Sequence, residues 1–158
     1  MQTAEAIEAV QRIDRETLGP EAQRVLDAVR GGQTALIERR GEPEAAILDI
    51  VDYRILRAVA HYQAHPPQLT DEDLDAGLTD ADVAALDDPQ ARYDVVLAYF
   101  LAGSLSLSRA AELLGTVYID LRIRFHRLGL PTRQGPATIE EAREEVRVAA
   151  EWLAARRP

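Results

Sequence analysis

The stretch Ser106–Leu128, SLSRAAELLGTVYIDLRIRFHRL, decides how this chain is read. Ser106 can cap a first helix, Leu107–Leu114, because its hydroxyl can accept a hydrogen bond from an amide of the first turn. Ala110 and Ala111 are small where a second helix must cross closely. Gly115 is the turn residue, since leaving the first helix needs a left-handed backbone that glycine adopts without a steric cost. A second helix then runs from about Val117 to Leu128 and stops at Gly129. Leu114, Val117, Leu121, Phe125 and Leu128 fall at helical steps and make one buried stripe. Arg122 and His126 lie one turn apart outside it, flanked by Tyr118, Ile119, Arg124 and Arg127. The unit is a helix-turn-helix. A strand is the competing reading, because Val117, Ile119, Leu121, Ile123 and Phe125 also alternate. As a strand the run would be about 40 Å long, too long for so small a module, and the Ala-Ala-Glu-Leu-Leu-Gly before it is a helix with a glycine stop. The alternation still predicts that Ile119 or Ile123 is more buried than a simple recognition helix requires, as at a dimer interface.

Outside this stretch, composition sets the bounds. The chain has 158 residues, 47% hydrophobic and 28% charged, enough for one ordinary domain or two very small ones. No run reaches the roughly 18 apolar residues of a membrane helix. The opening MQTAEAIEAVQRID lacks the charged-then-apolar pattern of a secretory signal, so a cytoplasmic location is expected. The absence of cysteine excludes disulfides, thiolate zinc sites and cysteine nucleophiles. Every one of the 18 basic residues is arginine, which reads as the mark of a GC-rich genome. The net charge of −9 is unevenly spread. Residues 66–94 carry 9 acids and 1 Arg, whereas residues 95–135 carry 2 acids and 5 Arg, a local +3. Screening limits electrostatic reach to about 10 Å at moderate salt, so the local field governs nucleic-acid affinity.

The first third reads as a small α/β unit. Val10–Ile13 fits a short strand. Gly19-Pro20 suits a helix start, Val25, Leu26 and Val29 give that helix an apolar face, and Gly31-Gly32 stop it. Thr34–Ile37 and Pro43–Ile50 are strands around the turn Arg39-Arg40-Gly41-Glu42, a hairpin. Asp52 is read as the cap of a helix from Tyr53 to about His65, with Ile55, Leu56, Val59 and Tyr62 inward, ended by Pro66-Pro67. Residues 66–92 form an acidic connector holding an imperfect repeat, TDEDLDAGL then TDADVAALD. Thr70 and Thr79 are N-caps, with acids in the first turn where the helix dipole favours them. The plain reading is two short capped helices with a solvated acidic face. The functional one is a segment that wraps a basic partner. A calcium loop is a poor fit: Asp71, Asp73 and Asp75 have the right spacing, but Ala76 follows where the sharp turn needs glycine. Asp94–Ala102 is an apolar helix with Val95, Val96, Tyr99 and Phe100 as core. In the tail, Thr138 with Glu141 makes a capping box for a final helix whose stripe is Ile139, Ala142, Val146, Ala149 and Leu153, beside Trp152.

A helix-turn-helix places its second helix in the DNA major groove, with the N-terminal residues reading base edges. Thr116, Tyr118, Ile119 and Arg122 take those positions, with His126 one turn beyond. Arg122 is expected to make the specific contact, since arginine bonds guanine at two points. Arg109, Arg124, Arg127 and Arg133 are expected to hold phosphates; the plain alternative is that they are solvated. His61 and His65 have metal-like spacing, but they end a helix before two prolines and no third ligand is apparent, so no metal or cofactor is expected. No phosphate loop or catalytic triad order is present, and the chain is read as a non-enzyme.

Residues 10–57 resemble the Phd/YefM antitoxin family. The resemblance rests on Gly31-Gly32 before a strand, on Ile37-Glu38-Arg39-Arg40-Gly41-Glu42-Pro43, on Ala45-Ala46-Ile47-Leu48, and on Asp52-Tyr53 with Leu56. It implies a homodimer built through the small sheet, with Ile37, Ala45, Ile47 and Leu48 at the contact, and a later segment that folds onto a toxin. Where that family carries operator-contacting basic residues, this chain has Leu18-Gly19-Pro20-Glu21, with Arg12, Arg15 and Arg24 nearby. This departure implies dimerisation kept and DNA reading lost in the N-terminal unit. Residues 93–135 resemble a small prokaryotic helix-turn-helix family associated with antitoxins of PIN-domain ribonucleases, through Leu105–Gly115 and Gly129-Leu130-Pro131.

These readings give an α+β chain. A dimerisation domain (1–65) with a short antiparallel sheet leads through the acidic connector (66–92) to a helix-turn-helix domain (93–135) and a C-terminal helix (136–158). The resemblances imply a type II antitoxin that represses its own operon. Its toxin would be a PIN-domain ribonuclease or a RelE-like RNase. It would be held by Leu74, Leu78, Val83 and Leu86 of the connector, or by Val146, Trp152, Leu153, Arg156 and Arg157 of the tail. The competing expectation is a helical assembly protein that reads no DNA.

Overall fold

The computed structural model describes residues 15–132, together with Arg143 and Arg147, both helical. The expected strand at Val10–Ile13, residue Arg12, the 138–157 helix and its cap fall outside the described residues apart from those two arginines. The chain is α+β, and its described residues are mostly helical with one two-stranded antiparallel sheet. It divides into two compact units between residues 49 and 50. This division does not coincide with the boundary expected after residue 65, because the helix Ile50–Ala64 lies against the helix Pro89–Ala102 and shares its core.

In the first unit a single 3₁₀ turn, Arg15–Thr17, precedes α1, Pro20–Arg30. Pro20 sits at the first helical position as the sequence indicates. Strands β1 (Ala35–Arg39) and β2 (Glu42–Ile47) pair antiparallel, Leu36 opposite Ala46 and Ile37 opposite Ala45. The turn is tighter than the sequence suggests. Only Arg40 and Gly41 stand outside the pairing, with φ of 54° and 83°, the double left-handed conformation of a two-residue hairpin turn that matches strand twist. β2 ends at Ile47, so the strand expected to reach Ile50 is shorter.

In the second unit, α2 (Ile50–Ala64), α3 (Asp71–Ala76), α4 (Asp80–Ala84), α5 (Pro89–Ala102), α6 (Leu107–Leu113) and α7 (Tyr118–Arg127) follow in order. Both copies of the acidic repeat form complete capping boxes: Thr70 Oγ1 accepts from Asp73 N at 3.1 Å and Thr79 Oγ1 from Asp82 N at 3.2 Å, and each aspartate accepts in return from its threonine. Asp88 caps α5, with Pro89 behind it, so that helix starts five residues before the expected Asp94. The core gathers Ile55 and Ala58 of α2, Val83 of α4, Tyr93, Val96, Leu97 and Phe100 of α5, and the inner faces of α6 and α7. The acidic segment is thus part of the domain. Ser104 Oγ donates to Leu74 O at 2.7 Å, and Gln90 of α5 donates to Arg54 O of α2 at 3.1 Å. Among the described residues no helix is long and apolar enough to cross a membrane.

Candidate nucleic-acid interface

Local chemistry builds the α6–α7 pair. Ser106 Oγ accepts from Arg109 N at 3.1 Å, and Leu107, Ala110, Ala111 and Leu113 are buried. Gly115 has φ of +66°. Around it Gly115 N donates to Glu112 O at 3.0 Å and Thr116 N to Ala111 O at 2.9 Å, which satisfies carbonyls that the helix end would leave open. The same pair of bonds closes α7 at Gly129 (Gly129 N to His126 O, Leu130 N to Phe125 O). The Ser106–Leu128 stretch is helical throughout its second half, so the strand reading is set aside. Leu121 and Phe125 are fully buried, and the Phe125 ring meets Phe100 edge-on at 5.5 Å. Leu114 and Leu128 are half-buried against this core.

One expectation about the stripe fails, and another is not met within the single chain. Val117 precedes α7 as its cap and is exposed, because the helix begins one residue later than the apolar spacing implies. Ile119 and Ile123 have half or more of their surface exposed, as does Val117, and Tyr118 is exposed beside them. The alternation produced no burial within the chain, since helical geometry turns both isoleucines to the side opposite Leu121 and Phe125. Arg122 and His126 are exposed on the same outer side and take no partner among the described residues. Thr116 is half-buried in the turn.

The arginines expected at phosphates are placed differently. Arg124 Nη1 donates to Asp52 Oδ1 at 2.7 Å, and Arg127 Nη2 donates to Asp52 Oδ2. Asp52 lies inside the first turn of α2, with a side chain only 4% exposed; it does not cap the helix, which begins at Ile50. Arg109 bridges Asp80 and Glu112, both at 2.9 Å. Hydrogen bonds donated to those two carboxylates hold the Arg109 guanidinium above its ordinary value. Three of the four described arginines of the basic segment therefore already face internal carboxylates. Arg133 lies outside the described residues.

In the hairpin, Ile37 and Ala45 are exposed, while Ile47 and Leu48 are half-buried. Among the connector residues expected at a partner, Val83 is in the core and Leu78 packs against it, so both are already committed internally. Leu74 and Leu86 are half-buried beneath an exposed acidic surface. Val146, Trp152, Leu153, Arg156 and Arg157 lie outside the described residues. His61 and His65 stack with ring centroids 5.3 Å apart, and among the described residues no three carboxylate or imidazole groups are placed to hold a metal.

Sequence reasoning missed Asp52 as an ion-pair acceptor. Its signal was phase: Asp52 falls on the same helical face as Ile55 and Val59, and a charge in an apolar stripe is buried with a partner. Compared with known proteins, the chain matches no family model, no curated protein and no solved structure.

Proposed function

We propose that this chain is a non-enzymatic, cytoplasmic DNA-binding regulator of the antitoxin type. It acts as a homodimer through its β-hairpin, with α7 as the recognition helix. The observation that carries the reading is the outer side of α7. It stands across a glycine turn from α6, over a fully buried Leu121–Phe125 seam, and it presents Arg122 and His126 with Tyr118, Ile119 and Ile123. Arg122 offers guanine two donors, and the isoleucines suit thymine methyl groups. Operator DNA is one partner. The cognate toxin, a PIN-domain ribonuclease or a RelE-like RNase, is the other, and the exposed acids of residues 70–88 would serve a basic toxin by charge complementarity. A mobility shift on the chain's own upstream DNA at several salt concentrations tests the proposal. Specific, salt-sensitive binding is expected, with Arg122→Ala losing about 1–3 kcal/mol of base preference. Absence of binding at low salt, with or without partner, would sink it.

A second reading, an assembly protein that reads no DNA, is favoured by one observation: Val117, Tyr118, Ile119 and Ile123 form an apolar outer side on α7. Under that reading Ile123→Asp abolishes complex formation and Arg122→Ala changes little.

A further inference from the structure

Asp52 is the one charged side chain buried among the described residues. Both of its oxygens are taken by arginines of α7 that are themselves mostly covered, Arg124 with a side chain 19% exposed and Arg127 29%. At about 100° per residue, Arg124 and Arg127 share one flank of α7, and Arg122 and His126 lie across the helix from them. The helix is thus held twice, by Leu121 and Phe125 in the core and by Asp52 beside it.

We infer that Asp52 is a positioning residue that withholds Arg124 and Arg127 from the nucleic-acid backbone and leaves Arg122 and His126 as the groups that meet DNA. The inference rests on the DNA-binding reading above. A phosphate that drew either arginine outward would leave a buried carboxylate with half its partners, a change far more costly than engaging a solvated arginine. The two guanidinium groups therefore stay on Asp52 in the bound state. The basic segment binds through fewer phosphate contacts than its arginine count implies, and its selectivity rises because indiscriminate backbone attraction is reduced.

Fluorescence anisotropy of the full chain on its upstream DNA and on a random duplex, titrated with salt, tests this. Each phosphate contact contributes about 0.9 to the slope of log affinity against log salt. Arg124→Gln and Arg127→Gln should leave the slope unchanged. Asp52→Asn should steepen it by up to about 1.8 per bound chain, as two released arginines would, and should tighten binding to the random duplex. A loss of about 0.9 in either arginine variant overturns the inference, as does an unchanged slope in a folded Asp52→Asn protein. If Asp52→Asn fails to fold by circular dichroism, the two arginine variants decide alone. Wild-type protein that binds neither duplex overturns the DNA reading itself, which separates that failure from this one.

Discussion

The two units of this chain hold their shape by different means. From residue 50 onward, five of the described helices share a core in which Ile55, Val96, Leu97, Leu121 and Phe125 are fully enclosed. Before residue 50, Val29 is the only described residue that is buried, and the hairpin leaves Leu36 57% and Ile37 49% exposed. Two strands alone are marginal in water. The difference teaches where substitutions act: in the helical unit on folding and, under the proposed homodimer, in the hairpin on association.

The sharpest break in that contrast comes from Phe125→Ala. The ring is fully buried against Phe100, so truncation should cost about 3–5 kcal/mol and lower the thermal midpoint read by circular dichroism. A loss below about 1 kcal/mol would mean that this seam is not the core. The capping boxes give the next effect. Thr79→Ala should cost about 1 kcal/mol and Thr70→Ala less, because Val83 anchors the second copy in the core whereas Leu74 is only half-buried. Hydrogen bonds from the hydroxyl and backbone amide of each threonine hold the Asp73 and Asp82 carboxyls below their ordinary value. A depressed folded-state value stabilises above the unfolded carboxylate range near pH 4 and is lost as pH falls through the folded value. The double alanine variant should therefore show a flatter acid limb in a pH-melting series. Equal acid sensitivity in both proteins would remove the boxes from that account. The smallest change in folding is expected at Ile37→Asp, within about 0.5 kcal/mol. If the proposed homodimer forms in the unaltered protein, the same variant should be monomeric in sedimentation, and an undisturbed oligomer would move the self-association surface elsewhere.

What the sequence made legible follows the range of each interaction. Ser106, Gly115 and Gly129 act on neighbours within five residues, so their helix start, turn and stop could be read directly. The paired threonines of the acidic repeat were readable for the same reason. The fates of Arg124 and Arg127 were not, because they depend on a carboxylate whose position only the packing of α2 reveals. Asp52 itself was misread because aspartate before an apolar run is a common cap signal. Two more helical residues, Ile50 and Val51, precede it and move it inside. The division before residue 50 was hidden for a similar reason: α2 follows the hairpin in sequence but shares its apolar face with α5. The outer side of α7 was legible in identity but is not buried within the chain, since alternating isoleucines signal a strand face only where a strand forms.

The bonds of Asp52 span 72 and 75 residues of chain. Closing so long a loop carries an entropic cost that nothing repays until α2 and α7 have met through their apolar faces. The pair is therefore expected to form late during folding, after the α6–α7 hairpin. An interaction missing from the transition state leaves the rate of folding alone and slows escape from the native state. In that role a single buried carboxylate would govern how long α7 stays in place once made.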